Sequence, residues 1–176
     1  MTVVHPLDRL ISSTLVLLYL ALVLPLPLLA PEALRPWLLL LVPLGLVLLL
    51  AVLSERVWLS DEGLRLGHPA WCGWLLRRGW SLRWDEVEAL VPVGTSQGGR
   101  VFYVRRRGPE GGAVLLPHRI ARFEAFLEQF SRRSGLDTRG VGRLTPPWTY
   151  QLLAALSGLM LAAELGAVAT GRLALL

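Results

Sequence analysis

The side chains able to do chemistry in this chain are few, and most are arginines. Two clusters stand out, Arg77-Arg78 and Arg105-Arg106-Arg107. A guanidinium offers five donors in a planar fork, so such clusters suit anionic lipid headgroups or an acidic protein surface. On a strand, Arg105 and Arg107 would share a face with Val101 and Tyr103, while Arg106 points the other way. All 18 basic residues are arginine, and the chain has neither lysine nor asparagine. Wholesale replacement of lysine is not site-specific and reads first as a GC-rich coding bias. Arginines beside apolar segments also follow from membrane topology alone. No nucleic-acid motif accompanies the clusters, so nucleic acid is not an expected partner.

Tryptophan is the second notable residue type. Trp71, Trp74, Trp80 and Trp84 are four of the chain's seven, and they lie close to Leu75, Leu76, Arg77 and Arg78. Trp84 is expected to fill a small core. Trp71 and Trp74 flank Gly73 in a loop, where an aromatic anchor in the headgroup layer, a partner contact and a core position are all open.

Enzyme chemistry finds little support. A single cysteine, Cys72, excludes an intramolecular disulfide and a cysteine-based zinc site. His5, His68 and His118 have no ligand spacing, and there is no Gly-rich phosphate loop or G-x-S-x-G nucleophile motif. Asp85-Glu86-Val87-Glu88 reads as a turn and a solvated strand edge. His118-Arg119 could hold an anion at a helix start, but one histidine without partners makes weak catalysis. No catalytic residue, cofactor or metal is expected.

The elements that must position these residues divide the 176-residue chain in three. Residues 1–54 hold two uncharged apolar runs, about 10–30 and 36–53, each long enough to cross a hydrocarbon core of about 30 Å. The first is too long for a signal core and runs straight into the second. Pro25 and Pro27 should loosen its end, and Pro36 suits a first turn. Only residues 31–36 separate the runs, so they form a tight hairpin. Residues 146–176 hold a third run from Trp148 to about Ala169. In it Ala154, Gly158, Ala162, Gly166 and Thr170 recur every four residues, a band of small side chains suited to close helix packing. Packing against the protein's own hairpin is the first expectation for that band, a foreign subunit the second. Glu164 falls away from the band and is expected to pair with Arg35 or reach the interface.

From residue 54 to 147 there are 15 arginines against 10 acidic residues. The positive-inside bias then places the N-terminus and central region in the cytoplasm, with the hairpin loop and C-terminus opposite. Three spans with one internal charge make a transporter pathway improbable.

Residues 55–145 read as short strands closed by one helix. Arg56–Ser60 and Leu64–Leu66 flank a turn at Asp61-Glu62-Gly63. A turn at Trp84-Asp85-Glu86 precedes a strand, 94–99 is a flexible loop, and 101–107 and 113–116 are further strands. Ile120, Phe123, Phe126, Leu127 and Phe130 then recur at helical spacing over 119–134, with Gly135 as C-cap. The pattern predicts a small β-barrel or bent sheet with the helix closing an open edge.

Three segments carry a family resemblance: Val57 to Leu66, Leu82 to Val87, and Leu115 to Leu127. In this order they resemble the bacterial pleckstrin-homology-like domains of small membrane proteins. Two spans followed by such a domain are also similar to the photosystem I assembly factor of cyanobacteria and chloroplasts, from which the third span departs. The resemblance implies an anchored, non-catalytic binding or assembly module. The expected fold is thus a membrane helical hairpin, an α+β domain and a third membrane helix, in a plasma or thylakoid-type membrane. The expected partner is a membrane protein complex, met through the third span and the Trp/Arg surface; recognition of anionic lipid is the alternative.

Overall fold

The structure, a computed structural model, describes residues 2–76, 79–94, 100–108, 111–116, 119–141 and 147–170. The chain forms two compact units, one of residues 1–8 and 54–145, the other of residues 9–53 and 146–176.

The first unit contains two antiparallel sheets. Strands β1 (Val3–Pro6), β2 (Arg56–Leu59), β3 (Gly63–Gly67) and β4 (Trp80–Arg83) lie in that order in one, and β5 (Val87–Gly94), β6 (Arg100–Arg106) and β7 (Ala113–Leu115) in the other. A 3₁₀ turn at Trp84–Glu86 joins the two sheets. Alternation along the strands sends Val57, Leu59, Leu64, Leu82, Val87, Phe102 and Val104 inward, one side of each pleat. Helix α4 (Phe123–Ser134) supplies Phe123, Phe126, Leu127 and Phe130 to the same core. It ends at Gly135, whose φ of 72° is the left-handed conformation glycine adopts without a Cβ penalty. Trp84 packs edge-on to Phe130, ring centres 5.6 Å apart, and its indole N–H donates to the Ser60 carbonyl at 3.0 Å. The expected role of Trp84 in the core is borne out, as are the turn at residues 60–63 and the strands around 56–67, 87–94 and 100–106.

Two expectations need correcting. Residues 1–54 are not merely a lead-in to the apolar hairpin, because Val3–Pro6 is an integral strand, paired in register from Val3↔Leu59 to Pro6↔Arg56. The helix expected over 119–134 starts only at Phe123. The preceding segment is held by the end of β1 instead: Leu7 bridges Ile120, the Ala121 N–H donates to the Pro6 carbonyl, and the Asp8 N–H donates to the Arg119 carbonyl. Arg122 then takes a left-handed conformation, φ 52°, which no helix can propagate through. Both sheets contribute residues to the one core. The expected loop at 94–99 lies outside the described residues beyond Gly94.

The second unit is helical: α1 (Arg9–Val23), α2 (Leu26–Leu29), α3 (Arg35–Leu53) and α5 (Pro147–Ala169). Three stretches, Arg9–Leu29, Arg35–Leu53 and Trp148–Ala169, are long and apolar enough to cross a membrane. As Pro25 and Pro27 foretell, the first is interrupted between Val23 and Leu26, since neither proline can donate to a helix ladder. Helix α1 packs on both α5 and α3. Against α3, the Tyr19 hydroxyl donates to the Val42 carbonyl at 2.6 Å. A Cβ at Gly45 would overlap that hydroxyl, so glycine is what lets the ring lie there.

Candidate functional site

The loop between β3 and β4 is built around Cys72. The Pro69 carbonyl accepts the N–H groups of Cys72 and Gly73 at 3.2 and 2.9 Å, and the Cys72 carbonyl accepts those of Leu75 and Leu76 at 3.0 and 3.1 Å. The buried Cys72 sulfur lies 3.2 Å from the Ser54 hydroxyl, a residue that directly follows the last one of α3. This frame turns three large side chains outward: Trp71 is 54% exposed, Trp74 80% and Leu75 57%. The Trp74 indole N–H is satisfied within the loop, donating to the Trp71 carbonyl at 3.0 Å. Of the readings open for Trp71 and Trp74, a core position is therefore excluded. Trp80, by contrast, packs partly buried against the core. Arg77 and Arg78 lie outside the described residues.

Strand β6 splits the arginine triplet as its alternation requires. Arg105 is exposed and forms a two-pronged ion pair with Glu88 on β5, both bonds 3.1 Å. Arg106 points to the other face, that of Phe102 and Val104, and reaches the Ser81 carbonyl at 3.5 Å. Arg107 is exposed, its backbone N–H bound to the Glu86 carbonyl at 2.7 Å. The triplet is thus three arginines in three settings, one of them committed to a carboxylate. Elsewhere, Arg65 lies over the Trp58 ring at 5.6 Å. Among the described residues, no group of three histidine, cysteine, aspartate or glutamate side chains is arranged to hold a metal. His118 lies outside the described residues, and Asp85 pairs with Arg83 on the surface at 3.1 Å.

The third apolar helix turns a different side to α1 than the four-residue band suggests. Its less exposed positions are Tyr150, Leu153, Ala154, Ser157, Gly158, Leu161, Glu164 and Ala167, a stripe of period 3.6. At its start the Thr14 hydroxyl of α1 donates to the Tyr150 carbonyl at 3.2 Å. Of the expected packing residues, Ala154 and Gly158 are half-buried, whereas Ala162 and Gly166 are exposed. A Cβ added at Gly158 or Gly166 would meet nothing within 4 Å. Packing on α1 therefore does not account for the exposed Gly166. Glu164 lies on the less exposed stripe and its Oε2 has no hydrogen-bond partner. Arg35 bonds the Pro27 carbonyl through Nε at 3.2 Å, and no Glu164–Arg35 pair is present among the described residues.

Two buried or half-buried groups escaped the sequence reading. His5 on β1 stacks edge-on to Phe126, centres 5.5 Å apart, with Nε2 3.4 Å from Gln129 Oε1. Burial pushes its pKa down, partly offset by that hydrogen bond. Glu55, just after Ser54, has its carboxyl pKa pushed up by burial against the opposing pull of His68 and Arg119. The strand carrying His5 had one signal, Val3-Val4 before Pro6, but its partner lies some fifty residues away.

No family model and no solved structure matches the chain. The uncharacterized protein slr0269 of Synechocystis sp. is 43% identical over 171 residues, an alignment spanning 94% of this chain and 85% of that protein. An alignment of that length takes in both units. The chain belongs to the same family as this cyanobacterial protein.

Proposed function

We propose that this chain is a non-catalytic, membrane-anchored assembly module that holds a membrane protein complex through the outward side of its third apolar helix. The observation that carries the reading is the state of Gly166, an exposed position, while Gly158 is half-buried on the less exposed stripe. Neither is in contact, through the space a Cβ would take, with any other described part of the chain. In lipid, where apolar side chains gain nothing by meeting each other, small residues matter mainly by letting a second helix come close. Leu152, Leu156, Leu159 and Leu165 flank them and are exposed, offering the larger side chains such a helix would pack against.

The water-facing unit has four- and three-stranded antiparallel sheets closed by a C-terminal helix, which supports the pleckstrin-homology-like resemblance. Arginine excess supports a cytoplasmic placement of this unit, in a plasma or thylakoid-type membrane. Pairing of β1 with β2 supports a hairpin with both ends on that same side. Recognition of anionic headgroups by the arginine triplet is the weaker reading, since Arg105 is spent on Glu88 and Arg106 faces away from it.

The test is a mild-detergent pull-down of the tagged protein from native membranes, with mass spectrometry of what co-purifies. A stoichiometric protein partner is expected, and Gly166→Leu should lose it while leaving the protein's melting in detergent unchanged. Recovery of the chain alone, with enriched anionic lipid, would overturn the assembly reading.

A further inference from the structure

The tryptophan loop is built unlike an ordinary surface loop. Loops in water leave many backbone N–H groups to the solvent, whereas a segment entering lipid must satisfy them internally. Here the N–H groups of Cys72, Gly73, Leu75 and Leu76 are all paired within the loop. The one polar atom of the Trp74 ring is likewise paired, with the Trp71 carbonyl. A ring 80% exposed yet already satisfied at its N–H loses no hydrogen bond on leaving water. The loop's outward side chains, Trp71, Trp74 and Leu75, are those enriched where apolar bodies meet headgroups.

Its position is fixed as well as its chemistry. Cys72, at the centre of the loop, contacts Ser54, and Ser54 is bonded to Leu53, where the second apolar helix ends. The loop is therefore one side-chain contact away from a point where the chain passes from apolar helix to water-facing strand.

We propose that residues 69–76, in the β3–β4 loop, are a membrane-interface anchor, with Trp71, Trp74 and Leu75 seated at the headgroup–acyl boundary of the bilayer that holds the protein's own helices. The partner is the bilayer itself, met by aromatic and aliphatic surface and not by recognition of a particular headgroup. The anchor fixes the height of the water-facing unit and so presents its remaining surface at a set distance from the membrane.

The experiment uses the full chain in nanodiscs of neutral phosphatidylcholine brominated high on the acyl chain. Bromine quenches nearby tryptophan, so the fraction of emission lost reports how many rings sit at that level. The Trp71→Phe/Trp74→Phe protein should show a smaller fractional quenching than the wild type, because the rings removed are among those quenched. An unchanged fraction, or a larger one as two water-exposed rings drop out, overturns the proposal. A photoreactive side chain in place of Trp74 gives an independent reading in native membranes. Adducts to lipid are expected; an adduct to a protein overturns the proposal. The discs contain only this chain and lipid, so their result is separable from the fate of the assembly reading.

Discussion

Burial against Phe126 pushes the His5 pKa down, which makes acid the condition that should loosen the first unit. Its folded pKa lies below the ordinary value of roughly 6.5, so the unfolded chain takes up the proton first as pH falls. The stability it contributes is complete above about 6.5 and declines below that until the folded value is reached. Thermal melts between pH 7.5 and 5.5 should show the midpoint falling, and His5→Asn should flatten that part of the profile. Glu55 has the opposite sign. Its folded pKa is raised, so stability is fullest below about 4.5 and is lost as pH rises, and Glu55→Gln should melt higher than the wild type at neutral pH. In the core, Phe126 is fully buried between Phe123 and Phe130, and Phe126→Ala should cost about 3–5 kcal/mol by denaturant titration. Of these residues only Phe126 was legible in the sequence, from its helical spacing. A histidine's burial depends on which strand sits beside it, and that strand pairing is long-range.

Elements were easier to read than their contacts. Three apolar runs became three apolar helices within a residue or two of their expected ends, because length and composition alone set them. The strands around Asp61-Glu62 and Trp84–Glu86 followed from local turn chemistry. What the sequence left undecided was which side of a helix meets which neighbour. In α5 every apolar position is acceptable to lipid, so no polar face marks the outside, and of the four-residue band only Ala154 and Gly158 fall on the less exposed stripe. Between α1 and α3 the decisive pair is Tyr19 and Gly45, a match of a hydroxyl to the space an absent side chain leaves. Gly45→Val should displace the Tyr19 ring and lower the melting temperature in detergent. Tyr19→Phe, which removes only the bond to Val42, should cost less, on the order of 1 kcal/mol.

At the scale of the molecule, the helical hairpin is an insertion within a β-hairpin. Pro6 and Arg56 are cross-strand partners, and the whole of residues 9–53 runs between them. Sequence order alone put a boundary at residue 54 and so cut the first strand from its sheet. A protein made of residues 54–145 alone should lack an edge strand, expose the flank of β2 and aggregate. Joining residue 8 to residue 54 through a short turn should instead give a soluble, cooperatively melting unit, which calorimetry would show.

The same pairing orders the protein's birth. The first strand leaves the ribosome some fifty residues before the strand it must pair with, and both apolar helices are made in the interval. Because β1 pairs with β2, a bilayer crossed by both helices would have the two ends of the hairpin on one side. A machinery that threaded the N-terminus across would strand β1 beyond reach of its sheet. The first sheet can then close only once Arg56 to Leu59 have been made and have paired with β1.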